Sequence, residues 1–161
     1  MKKNQFYYVV VEAYRPGAKL IGMAPTDRLD WRPGPTFMSL GQLICHVSDG
    51  LGSAFELLLS GKWPSGEEME KGMKLENLPS CGVQEALEKL EKDKEVLRKA
   101  LAGVSEKDFA NRVVTVPWGM KGTVERMSIS FLEHFTNHKM QLFTYLKLLG
   151  QAVNTETLYF G

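Results

Sequence analysis

The chain has 161 residues, 43% hydrophobic and 24% charged, with 20 lysines and arginines against 19 aspartates and glutamates. That is material for one soluble domain spanning 1–161, with enough length to bury a sizeable core. A formal charge of +1, with no lysine-arginine cluster, offers neither an electrostatic track for nucleic acid nor a polybasic face for a membrane.

No stretch approaches the roughly 20 apolar residues needed to span a bilayer. The start, Met1–Glu12, follows two lysines with a short apolar run that Glu12 interrupts. No small-residue cleavage site comes after it, so a signal peptide is not expected. Cys45 and Cys81 are the two cysteines. A pair in a chain of this size implies no disulfide framework, and both are read as thiols in a reducing cytoplasm.

The first helical segment covers about Gln5 to Met23, with Val9, Val10, Ala13, Leu20 and Ile21 as core candidates. Pro16-Gly17 lies inside it. Proline removes an intrahelical bond and clashes with the preceding turn, which predicts a kink or a break. A connector with Pro25, Pro33 and Pro35 follows, extended and stiff, with Trp31 and Phe37 to bury. Ser39 reads as the N-cap of a second helix, its hydroxyl taking an orphan N–H. That helix is expected to run to about Leu59 and stop at Ser60-Gly61.

Residues 61–80 read as a long loop, with Trp63 an apolar outlier in a charged stretch. The third helix is expected over Val83 to Ala102. Its charged face carries i, i+4 pairs suited to water. Asn111 to Val124 combines β-branched residues with the turn chemistry of Pro117–Gly122, which predicts a hairpin or an extended segment. A fourth helix then runs to Leu149, with Gly150 as its C-cap. Four helices of this length each fit one length of a bundle. A crossover by the 61–80 loop would place helix two beside helix four.

The chain has three histidines, His46, His134 and His138. His134 and His138 stand four residues apart on the fourth helix, so they share a face with Cβ atoms roughly 6 Å apart. They fall inside the apolar stripe Met127, Phe131, Phe135, Leu142, Tyr145, Leu146 and Leu149. His46 lies beside the apolar face of helix two. Burying imidazoles is costly unless each finds a partner, and coordination of one ion by all three is one solution. Histidines scattered between core and surface are the other.

The segments Leu29-Asp-Trp31-Arg-Pro33 and Met38–His46, the Trp118-Gly119 loop and the His134-x-x-x-His138 helix together resemble the DinB family. Those proteins are metal-binding four-helix bundles related to bacillithiol-transferase and mycothiol-dependent enzymes. The resemblance covers nearly the whole chain. It implies an all-α, up-down-down-up bundle with a long connection between helices two and three. It also implies that His46, His134 and His138 hold a divalent metal ion, nickel or zinc.

Three protein ligands with an open position is the count of a catalytic site rather than a closed structural one. Such an ion acidifies a bound water or thiol, or polarises a carbonyl. The leading expectation is therefore a metal-dependent transferase or hydrolase acting on a small molecule, and family analogy favours a low-molecular-weight thiol as partner. The alternative is a non-catalytic protein that uses the ion structurally or for sensing. Asp49, three residues after His46, is the candidate catalytic residue, as general base or as a partner that orients an imidazole. Glu133 points about 100° away from its ligand neighbour. Trp118 is the candidate for a pocket mouth. Met127, Phe143 and Leu148 flank the main stripe and suggest a homodimer through helices one and four.

Overall fold

Eight α-helices and one small hairpin make up the computed structural model, which describes residues 1–161. In chain order they are α1 (Lys3–Gly22), α2 (Leu40–Ser48), α3 (Gly52–Ser60), α4 (Gly66–Gly72), α5 (Val83–Ala102), α6 (Glu106–Asn111), β1 (Val113–Thr115), β2 (Lys121–Thr123), α7 (Val124–Leu148) and α8 (Thr155–Tyr159). Helix α1 packs on α5 and α7, and α2 and α3 pack on the same two helices. One continuous cluster of buried side chains fills the space between them. No helix is long and apolar enough to cross a membrane.

Helix α1 is unbroken through Pro16-Gly17, against the break that proline predicts. Both residues are buried. A Cβ on Gly17 would stand 2.9 Å from the Phe135 ring, so the missing side chain lets α7 approach α1 at this point. That contact offsets the hydrogen bond lost at Pro16. The stripe expected on α1 is also shifted: Val10, Tyr14, Leu20 and Ile21 are buried, whereas Val9 is 45% exposed. Phe37, expected to be buried, is also exposed.

Helix two is two helices. The chain turns at Gly50, which has φ +59°, and α3 restarts at Gly52. The cause lies on another helix. Asp93 of α5 is buried, and its carboxylate accepts hydrogen bonds from the N–H groups of Leu51 (3.0 Å), Gly52 (2.9 Å) and Ser53 (3.3 Å). It also accepts the Tyr14 hydroxyl proton at 2.6 Å. The carboxylate thus caps the α3 N-terminus from outside, where an acidic group meets the positive end of the helix dipole. A Cβ at Gly50 would sit 2.3 Å from an Asp93 oxygen, so only glycine fits both the backbone angle and the space. Burial raises the Asp93 pKa, opposed by the hydrogen bonds from Tyr14 and the three amides.

Ser39 caps α2 as expected, accepting from the Gln42 N–H at 3.2 Å while Gln42 Oε1 accepts from the Ser39 N–H at 2.9 Å. Gln42 also donates to the carbonyls of Leu75 and Leu78. The stretch expected to be a plain loop is therefore tied to α2, and it contains α4 and a 3₁₀ turn at Leu75–Asn77. Helix α5 has the expected limits. The hairpin forms with Val114 opposite Gly122, and Thr123 caps α7. Helix α8 was not expected. It covers Lys139, whose Nζ donates to the Leu158 carbonyl at 3.1 Å, so this lysine of α7 is buried.

Candidate metal centre

The packing of α2 on α7 brings the three histidines together. One ring nitrogen from each of His46, His134 and His138 lies within 4.8 Å of the others. The Nε2 atoms of His46 and His134 are 3.0 Å apart. His138 faces both other rings with centroids 4.4 Å away, and all three rings meet edge to face. Ligand nitrogens about 2.0–2.1 Å from one tetrahedral ion stand roughly 3.3 Å from each other, so the cluster is of the right size for a single ion. No fourth His, Cys, Asp or Glu joins the group. A three-histidine set of this kind can hold a metal ion.

The surroundings disfavour the charged form of two of these rings, His46 and His134. Desolvation lowers the His46 pKa, helped by the His138 and Lys89 charges and opposed by Asp49. His134 is pulled down to about 4, by desolvation first and then by His138 and His46, although part of its ring is open to solvent. A neutral imidazole keeps the lone pair that coordination needs. His138 is oriented from behind: its Nδ1 lies 3.0 Å from Gln141 Oε1. Gln141 in turn donates to the Tyr145 hydroxyl at 3.4 Å, and that hydroxyl donates to the Met38 carbonyl at 3.2 Å. With Nδ1–H donated to Gln141, the Nε2 lone pair of His138 faces the cluster. Gln141 was not singled out from sequence, yet its i, i+3 spacing from a histidine on one helix face was the available signal.

Asp49 is at the end of α2, half exposed, and its carboxylate pairs with Lys89 Nζ at 2.8 Å. The same ammonium lies 3.3 Å from Cys45 Sγ. Burial disfavours the Lys89 charge, but Asp49 and Cys45 outweigh it and raise its pKa. Asp49 acts on His46 through its charge, which raises the His46 pKa; its hydrogen-bonding partner is the lysine. Cys45 and Cys81 are free thiols, and burial and Cys45 push Cys81 up to about 12.

A cavity of about 330 Å³ opens beside His134, lined by Ala54, Trp63, Trp118, Met120, Met127, Ser130, Phe131 and His134. The hairpin turn carries Trp118 onto Trp63, ring centroids 5.5 Å apart and nearly perpendicular. Trp118 thus sits at a pocket mouth, and Trp63, the outlier of the 61–80 stretch, is its partner.

The depressed histidine pKa values have a consequence for the metal-free protein. Groups whose folded pKa lies below the unfolded value of about 6.5 contribute stability above that pH and lose it as pH falls through the folded value. Thermal melts in chelator are therefore expected to show a falling Tm from about pH 6.5 towards pH 4, and His134→Gln should flatten that slope. A slope unchanged by the substitution would contradict the assignment.

Two solved structures share the fold. A DinB-family protein from Exiguobacterium sibiricum superposes with a TM-score of 0.71 at 18% identity, covering 96% of each chain. A DinB-like protein from Bacillus subtilis gives 0.66 at 15% identity, covering 92% of this chain and 94% of its own. No protein of curated function matches the chain. The model of the DinB superfamily matches residues 17–141, most of the chain and all three histidines, and this protein belongs to that superfamily.

Proposed function

We propose that the chain is a metal-dependent enzyme acting on a small molecule, with His46, His134 and His138 holding one divalent ion, nickel or zinc. The reaction is transfer of a low-molecular-weight thiol to an electrophile or, as the second chemistry the same site supports, hydrolysis. The observation that carries this reading is the convergence of three imidazoles beside a cavity, with His134 belonging to both. When bound, a divalent ion supplies Lewis acidity towards a thiol, a water or a carbonyl oxygen. The protein contributes two ligands, His46 and His134, whose charged form desolvation disfavours, a fixed ring orientation at His138 through Gln141, and a largely apolar chamber. Three protein ligands with one side towards a cavity favour catalysis over a structural or sensing role.

Asp49 is proposed to tune His46 through its charge and to serve as a proton acceptor when Lys89 releases it. Asp49→Ala is then expected to leave metal content unchanged and to slow turnover. Full activity in that variant would remove Asp49 from the mechanism. The proposed chain course is the up-down-down-up bundle, with residues 61–82 crossing over; the packing of α2 and α3 on both α5 and α7 supports it. Free thiols at Cys45 and Cys81 suit a reducing cytoplasm.

Assembly as a homodimer is also proposed, on a changed surface. Met127 and Phe143 are buried within one chain, which leaves Met140 and Leu148 of α7 with Tyr8 and Val9 of α1 as the large apolar residues exposed on these helices. Sedimentation at micromolar concentration should show a dimer, and monomer alone would overturn this.

The direct test of the thiol reading is cobalt-substituted protein titrated with a low-molecular-weight thiol. A thiolate-to-metal charge-transfer band supports transfer chemistry. A spectrum indifferent to thiol and to pH would point instead to a closed metal site.

A further inference from the structure

We infer that the cavity beside His134 binds an uncharged, flat, apolar small molecule that carries one neutral hydrogen-bond acceptor. Its volume of about 330 Å³ falls within the range of small-molecule sites, about 300–1,000 Å³. Six of its eight lining residues are hydrophobic, and they include two indoles and two thioethers. Aromatic faces favour flat partners through offset or edge contacts, and methionines adapt to irregular shapes.

The charge of the ligand follows from what the wall lacks. No lysine or arginine lines the cavity. Arg126, which is not among the lining residues, donates from Nη1 to Ser130 at 3.0 Å and lies 3.8 Å from Glu133. In the metal-free protein a carboxylate or phosphate placed here would lose its hydration without gaining a cation.

The acceptor follows from a polar atom the fold leaves unpaired. Trp63 Nε1 is the one buried side-chain nitrogen or oxygen in the molecule with no hydrogen-bond partner. Buried donors are almost always paired, and an orphan calls for an explanation. Trp63 forms part of the cavity wall, with its Nε1 covered, so the donor would reach a ligand carbonyl or ether oxygen once the indole ring turns towards the cavity. The rim is also unfinished: Trp118 is 54% and Met120 43% exposed, apolar surface that a ligand would cover. His134 is one of the lining residues, so the bound molecule would present its reactive atom to the histidine cluster. That last step rests on the proposed metal reading; the binding itself does not.

The test is an NMR titration of the three tryptophan indole N–H signals in the full chain, metal-free and zinc-loaded, with acetophenone, ethylbenzene and benzoate as probes. Acetophenone should move the Trp63 signal saturably, with ethylbenzene about 3- to 10-fold weaker for want of the hydrogen bond. Benzoate should bind the metal-free protein at least about tenfold more weakly than acetophenone, because its charge stays unpaired there. Trp63→Phe should remove the preference for acetophenone over ethylbenzene. Met120→Asp, at an exposed rim position, should weaken acetophenone while leaving zinc uptake by equilibrium dialysis unchanged.

Benzoate binding to the metal-free protein as tightly as acetophenone, no movement of the Trp63 signal at millimolar acetophenone, or an unaffected Met120→Asp protein would each overturn the proposal. Zinc uptake without acetophenone binding would overturn the pocket alone. Acetophenone binding without zinc uptake would uphold the pocket and overturn the metal reading.

Discussion

Replacing His138 with alanine is expected to strip the protein of its divalent metal while leaving the fold intact. The ring contributes one of three nitrogens that converge within 4.8 Å, and no neighbouring His, Cys or carboxylate is placed to take over. The site lies at the partly open surface between α2 and α7, so the truncation removes little core packing. Gln141→Ala gives an internal scale. Loss of a partner to a ligating histidine costs about 10–100-fold in metal affinity, and loss of the ligand itself should cost considerably more. Equilibrium dialysis against zinc should therefore rank wild type above Gln141→Ala, and Gln141→Ala above His138→Ala. Equal affinity of wild type and His138→Ala would remove this histidine from the site.

The second large effect is on stability. Asp93→Ala should destabilise the fold by about 3 kcal/mol, because it leaves several buried donors without an acceptor. Those donors are the Tyr14 hydroxyl and the amides of Gly52 and Ser53, while the Leu51 amide keeps the Tyr14 oxygen as an acceptor. For a domain of this size that loss corresponds to a fall in Tm of roughly 6–12 °C. Asp93→Asn keeps one acceptor oxygen and should lose less. The sign with pH is opposite to that of the histidines. Burial holds the Asp93 pKa above its unfolded value, so its contribution is fully present below about pH 3.8 and declines as pH rises through the folded value. Because Asp93 fixes the break between α2 and α3, the alanine variant should also loosen His46 and weaken zinc binding modestly. Denaturant unfolding that places Asp93→Ala within about 0.5 kcal/mol of wild type would show that the cap contributes little.

The histidine cluster was legible because its signal is local and chemical. Two histidines at i, i+4 in an apolar stripe, with a third in another amphipathic segment, leave few arrangements that satisfy all three. Helix α5 was legible for a similar reason: its charged and apolar residues alternate with helical period along its whole length. The break at Gly50 was not, because its cause is a carboxylate on α5, 43 positions later in the chain. Local pattern carries no record of such a partner. Pro16 misled in the opposite sense. Its local cost is real, but the close approach of Phe135 at Gly17 is a tertiary contact that outweighs it. Lys139 reads as a solvated residue until the C-terminal helix α8 is seen to lie across it. The cavity was half legible: Trp118 in its glycine turn suggested a mouth, while Trp63 showed its place only when the 61–80 stretch was seen against the hairpin.

X-ray absorption on the zinc-loaded protein tests the central claim most directly, since it counts and identifies the atoms around the ion. Three imidazole nitrogens at roughly 2.0–2.1 Å are expected, together with one light atom that sulfur replaces when a low-molecular-weight thiol is added. An ion held by fewer than two imidazoles, or by four protein ligands that thiol leaves unchanged, would contradict the account.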